Sequence, residues 1–195
     1  MTKTKNIILG IAVFGVISSL TILLALYSNG YSNKTSADFP NYSTLADINN
    51  NSSCVIVGAV KEKEKDIRKI DVGLYEPQSY IVFNIIVDEV VKGNVNVGDE
   101  IAVKMLSEEI ATETAGYLEI DKKYILFLEL YDNDIPASLI NPIQGQLKIK
   151  EDNTLDVKKG NNIFTNQKNG INTSSNSKSE FTKESVLNEL KSINN

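Results

Sequence analysis

Histidine and tryptophan are absent from the 195 residues, and cysteine occurs once, at Cys54. Without histidine there is no Ser-His or Cys-His nucleophile pair, no imidazole metal ligand and no side chain that ordinarily titrates near neutral pH. A single thiol allows neither an internal disulfide nor a cysteine-cluster metal site. Arginine is almost missing too, with Arg68 alone among 20 basic residues. Against 25 acids the formal net charge is −5, the wrong sign for a protein that grips nucleic-acid phosphates. No nucleic-acid partner is expected, and no catalytic, cofactor-binding or metal-ligating residue is assigned. The hydrophobic share of 42 % and charged share of 23 % are near globular averages.

What is present begins with a charge-free run. Lys3 and Lys5 mark residues 1–5 as a basic stub, and residues 6–29 are rich in Ile, Leu and Val. About 20 apolar residues cross the roughly 30 Å hydrocarbon core of a bilayer, whereas a cleaved signal has a shorter apolar region and an A-x-A-like site. Residues 6–29 are therefore predicted to be a single transmembrane helix and the contact with the membrane. The two leading lysines keep the N-terminus cytoplasmic, which puts the remainder outside a cell membrane as a single-pass protein. The alternative is a cleaved, secreted chain.

Residues 30–42 read as a polar tether, and Ser43 is placed to cap a brief helix carrying Leu45 and Ile48. The folded domain is predicted over 43–157. Cys54-Val55-Ile56-Val57-Gly58-Ala59-Val60 is a buried strand interrupted by a glycine, the mark of a bend. The alternating charges of Lys61 to Asp66 then form a solvated hairpin arm that blunts a sheet edge. In Ser79–Lys92 the apolar phase runs through Ile81, Phe83, Ile85 and Val87, then slips to Val90. A β-bulge at Asp88-Glu89 restores the facing and adds curvature. Ile101, Val103 and Met105 alternate in the next strand. Tyr124 to Leu128 is apolar throughout, hence central. The stretch between Pro136 and Pro142 is read as irregular. Gln146 to Lys150 and Thr154 to Val157 form a last hairpin. Residues 158–179 are a low-complexity linker, and 180–195 an amphipathic helix with Val186, Leu187, Leu190 and Ile193 on one face.

The predicted fold class is mainly β: a five- to six-stranded OB-like barrel with short flanking helices, preceded by the transmembrane helix. Phe83, Ile85, Val87, Val103, Ile125 and Phe127 are expected to share one core. Chemical candidates are few. Asp88-Glu89, Glu108-Glu109 and the acids Asp132 and Asp134 are the adjacent carboxylates, and Asp132 to Pro136 reads as a turn rather than a calcium loop. Cys54 is a small buried hydrophobe. The expected function is a membrane-anchored, non-catalytic binding or accessory module for a protein or cell-wall ligand. The alternatives are a carboxylate-based hydrolase of cell-wall glycans and a secreted protein-binding or protease-inhibitor-like domain.

The strand order from Cys54–Val60 through Tyr80–Gly93, Val97–Ile101, Lys123–Leu128 and Gln144–Leu147 resembles a family of small Gram-positive surface proteins with an OB-type, TIMP-like barrel. Heavy use of Asn, Ile and Lys fits that resemblance. It implies a barrel that binds through a face and flanking loops, here Asp66–Gln78 and Ser107–Asp121. It implies no activity. The inhibitors called TIMPs act through an N-terminal cysteine amine and carry disulfides, both of which this chain lacks.

Overall fold

The computed structural model describes residues 39–71, 73, 76–107, 116–132, 134–158, 160–164 and 181–194. In chain order the elements are helix α1 (Leu45–Asn51), strands β1 (Cys54–Lys63), β2 (Arg68–Ile70), β3 (Gln78–Lys92), β4 (Glu100–Leu106), β5 (Lys123–Glu129), β6 (Ala137–Leu139), β7 (Gln146–Ile149) and β8 (Leu155–Asp156), and helix α2 (Lys183–Asn194). The helix α1 is capped by Thr44 rather than Ser43. The Thr44 hydroxyl accepts from the Asp47 N–H and the Asp47 carboxylate accepts from the Thr44 N–H, a reciprocal cap that satisfies two orphan donors.

Five strands close on themselves. β1 lies between β3 and β5, β3 pairs with β4, β4 pairs in parallel with β6, and β6 returns to β5. The result is a closed five-stranded mixed β-barrel of OB-like form. β2 adds to the outer end of β3, while β7 and β8 extend the sheet beyond β5. The irregular reading of Pro136 to Pro142 is corrected, because β6 lies inside it and makes the closing step. Two of its residues bridge each neighbour, Val103↔Ala137 with Lys104↔Ser138, and Leu128↔Leu139 with Glu129↔Ser138.

The bends fall where strand phase requires them. Val57 pairs with Glu89 and Gly58 with Val87, so Asp88 is the extra residue of a bulge. Val87 packs inside the barrel before it and Val90 after it. At Gly58 a side chain has no room: a Cβ there would stand 2.6 Å from Ile85 Cγ2 and 2.9 Å from the Ile86 carbonyl oxygen. The acids beside the bulge are ion-paired. Asp88 meets Lys123 at 2.7 Å, and Glu89 meets Lys191 at 2.7 Å and Lys183 at 3.6 Å.

The expected single core is two. Cys54, Ile56, Phe83, Ile85, Val87, Val103, Tyr124, Leu126 and Leu128 fill the barrel. Ile125 and Phe127 belong instead to an outer layer with Val55, Val57, Leu45, Ile48, Leu147, Leu187 and Leu190. The reason is the period of two: on β5 even positions face inward and odd ones face the helices. An all-apolar strand signals burial on both sides, and that burial divides its residues between two cores.

The membrane expectation is corrected as well. Among the described residues no helix is long and apolar enough to cross a membrane. Spanning takes about 20 consecutive apolar residues, and α2 has 12 residues with one buried side. Residues 6–29, on which the anchor was placed, lie outside the described residues. Membrane anchoring, single-pass topology and the cell-membrane location are accordingly withdrawn.

Candidate binding pocket on the barrel wall

The candidate site begins with an interruption in β4. Val103 faces the barrel interior, so Lys104 must point outward. Outward is ordinarily into water, yet Lys104 is only 4 % exposed. The chain returning from β5 to β6 covers it. Lys104 Nζ donates to the Pro136 carbonyl oxygen at 2.5 Å. It lies 3.9 Å from the ring centre of Tyr131 and 5.9 Å from that of Tyr80, within the range where an aromatic face attracts a cation. Among the described residues no carboxylate lies within 4.0 Å of it. Asp132 and Asp134, on the connection that covers it, are exposed and form no ion pair with it. Burial pushes the Lys104 pKa down from 10.5 to about 8, because the ammonium has lost water without gaining a counter-ion. At pH 7 it is still mainly charged.

Lys104 opens on a pocket of about 120 Å³ whose walls include Phe39, Tyr80, Leu106, Ser138, Leu139 and Pro142. The turn after β6 holds the chain that follows Phe39. The Gln144 side chain accepts from the Tyr42 N–H at 2.9 Å and donates to the Tyr42 carbonyl at 2.8 Å. Asn141 Nδ2 donates to the Pro40 carbonyl at 2.9 Å, while its oxygen accepts from the Ile143 and Gln144 N–H groups. Two buried amides therefore pin residues 40–42, next to Phe39 in the chain.

The location matches the ligand face of OB barrels, formed by the second and third barrel strands and the loop between the fourth and fifth. Here these are β3 with Tyr80, β4 with Lys104, and the β5–β6 connection with Tyr131. A second, wider depression of about 480 Å³ lies beside Lys122, Lys148, Lys150, Glu151 and Asp152. Its lysines and acids are mixed, and Lys148 is already held by Glu119 at 2.6 Å.

The other sequence candidates lie elsewhere. Cys54 is buried inside the barrel, where burial raises its thiol to about 11. Asp132 and Asp134 are exposed, and among the described residues no metal-binding cluster forms. Glu108 and Glu109 lie outside the described residues, as do parts of both loops proposed as contacts. Sequence reasoning missed Lys104, Tyr80 and Tyr131 because a lysine in an outward strand position reads as solvated. The only available signal was an aromatic residue, Tyr131, between a buried strand and Pro136. Comparison with protein-family models and with curated proteins finds no match for this chain.

Proposed function

We propose that the barrel is a ligand-binding module whose site is the Lys104 pocket. The observation that carries this reading is the buried ammonium with a carbonyl and two aromatic faces, but no carboxylate, around it. Such a cation is costly to keep in a purely structural role. Polar groups converging on an apolar recess are the usual make-up of a small-molecule site. The position on the β3–β4 face adds fold-level analogy. Asp88 and Glu89, one of the adjacent acid pairs, lie apart from this pocket and are engaged with lysines across the sheet and α2. The resemblance to small Gram-positive surface proteins belongs to this reading and rests on strand and turn residues alone.

Titration of the isotope-labelled full chain with single-ring probes tests it. Phenol, benzoate and benzyl alcohol should bind in the millimolar range expected of fragments. At least one should shift the amides of Lys104–Leu106 and Ser138–Leu139 most. Absence of any shift, or shifts centred on another face, overturns the pocket as the site.

A further inference from the structure

We infer that the ligand of this pocket is a carboxylate on a compact apolar body, with the carboxylate seated on Lys104. The inference rests on the pocket being a binding site, as proposed above, and adds the ligand's charge and shape. Among the described residues Lys104 is the one charged side chain that is buried; the other buried polar residues are Ser, Asn and Gln. Five other lysines, three exposed and two half-buried, meet acids: Lys61, Lys123, Lys148, Lys183 and Lys191 stand 2.8, 2.7, 2.6, 3.6 and 2.7 Å from a carboxylate oxygen. Lys104 has no such partner among the described residues, although it is the most buried of the lysines and buried charges are normally paired.

Its surroundings define what is missing. An ammonium has three donors. One reaches the Pro136 carbonyl, and the faces of Tyr131 and Tyr80 supply partial charge without a lone-pair acceptor. Burial raises the Tyr80 pKa, so that phenol brings no negative charge near pH 7. A ligand carboxylate supplies the absent acceptor and the absent charge together, and such a charge-assisted hydrogen bond is among the stronger ones.

The rest of the recess sets the body. Leu106, Leu139 and Pro142 offer hydrocarbon, and Ser138 adds one hydroxyl. A volume of about 120 Å³ is close to that of an apolar cavity of about 150 Å³ that accepts benzene. The fitting body is one ring or a short branched chain. A sugar would leave hydroxyls unpaired against these walls. A polyanion would meet one cation on a chain of net charge −5, which repels it. Two sources share the favoured chemistry: a free small acid and the C-terminal residue of a peptide.

The experiment compares near-isosteric probes on the full chain by the same amide shifts. Benzoate should bind at least about tenfold more tightly than benzyl alcohol, the size of one charge-assisted hydrogen bond, and benzylamine should bind weakest. Lys104→Met should bring the benzoate-to-benzyl-alcohol ratio towards one; the wild-type ratio stands as a test even if that variant does not fold. Benzyl alcohol or benzylamine binding as well as benzoate at these amides overturns the carboxylate and leaves the pocket as a site. Phenol binding alone, with none of these three, overturns the carboxylate; binding by none of the four overturns the pocket itself, and this inference with it. N-acetyl-leucine preferred over N-acetyl-leucinamide supports a peptide C-terminus as the source. Preference for benzoate alone supports a free acid.

Discussion

At the scale of residues, Lys104 and Gly58 show how one position constrains its neighbourhood. The depressed pKa of Lys104 has a definite sign in stability. Between about 8, where the folded state releases the proton, and the ordinary value near 10.5, the unfolded chain holds more protons than the folded one. Stability from this group therefore rises as pH rises through that window. Chemical denaturation at several pH values should show the rise in the native chain and a flatter profile in Lys104→Met. Equal slopes for the two would mean that the lysine is not desolvated in solution. Gly58→Ala tests close packing instead. Its methyl would collide with Ile85 and the Ile86 carbonyl, backbone that cannot step aside, and overpacking of this kind costs about 1–3 kcal/mol. A denaturation midpoint unchanged by the substitution would show that the β1–β3 contact is looser than the geometry requires.

At the scale of elements, β5 is the hinge between the two cores. Leu126→Ala should open a cavity in the barrel, and Phe127→Ala one beneath the helices, each costing about 2–5 kcal/mol. Because the two residues adjoin on one strand, a backbone shift caused by either is felt by both, and a double-mutant cycle should read a coupling of about 0.5 kcal/mol or more; strict additivity would mean that the strand holds its place when either core is hollowed. How far the sequence speaks for itself depends on such elements. The β3 phase slip announced its bulge, because alternation admits only one repair when an inward face must stay inward. The hydrophobic run of β5 announced a buried strand, but a run without alternation carries no information about which face each residue takes. The three residues of β6 carry still less, since Ala-Ser-Leu has no pattern and its bridges depend on partners far along the chain. The pocket inherits that blindness. Lys104 is buried by the very segment that joins β5 to β6, so its role emerges only once the ring has closed.

At the scale of the whole molecule, the barrel and outer layer share β1 and β5 and should unfold together. Circular dichroism and tyrosine fluorescence should give coincident denaturation curves; separated transitions would mean that the helical layer detaches first. Glu89 contributes a smaller, pH-dependent tie between β3 and α2. The Lys191 hydrogen bond, reinforced by Lys183, holds its carboxyl below the ordinary value. That contribution is present above the ordinary carboxylate range and fades as pH falls through the depressed folded value. Lys191 is half exposed, so a double-mutant cycle of Glu89→Gln with Lys191→Met should give no more than about 1 kcal/mol.

The buried Cys54 turns the same cooperative closure into a clock. It is the chain's one thiol, it lines the barrel interior, and the turn at Gly93 rests against it, with a Cβ position there only 3.1 Å from Sγ. Alkylating reagents need the thiolate in contact with solvent, so each labelled molecule must first have opened. Under native buffer the labelling rate should fall on the order of 10³-fold or more below that in denaturant, following the open fraction. Leu126→Ala should speed it by the same factor by which it lowers the folding equilibrium. One mass increment, on the unmodified sequence, thereby times the opening of the ring.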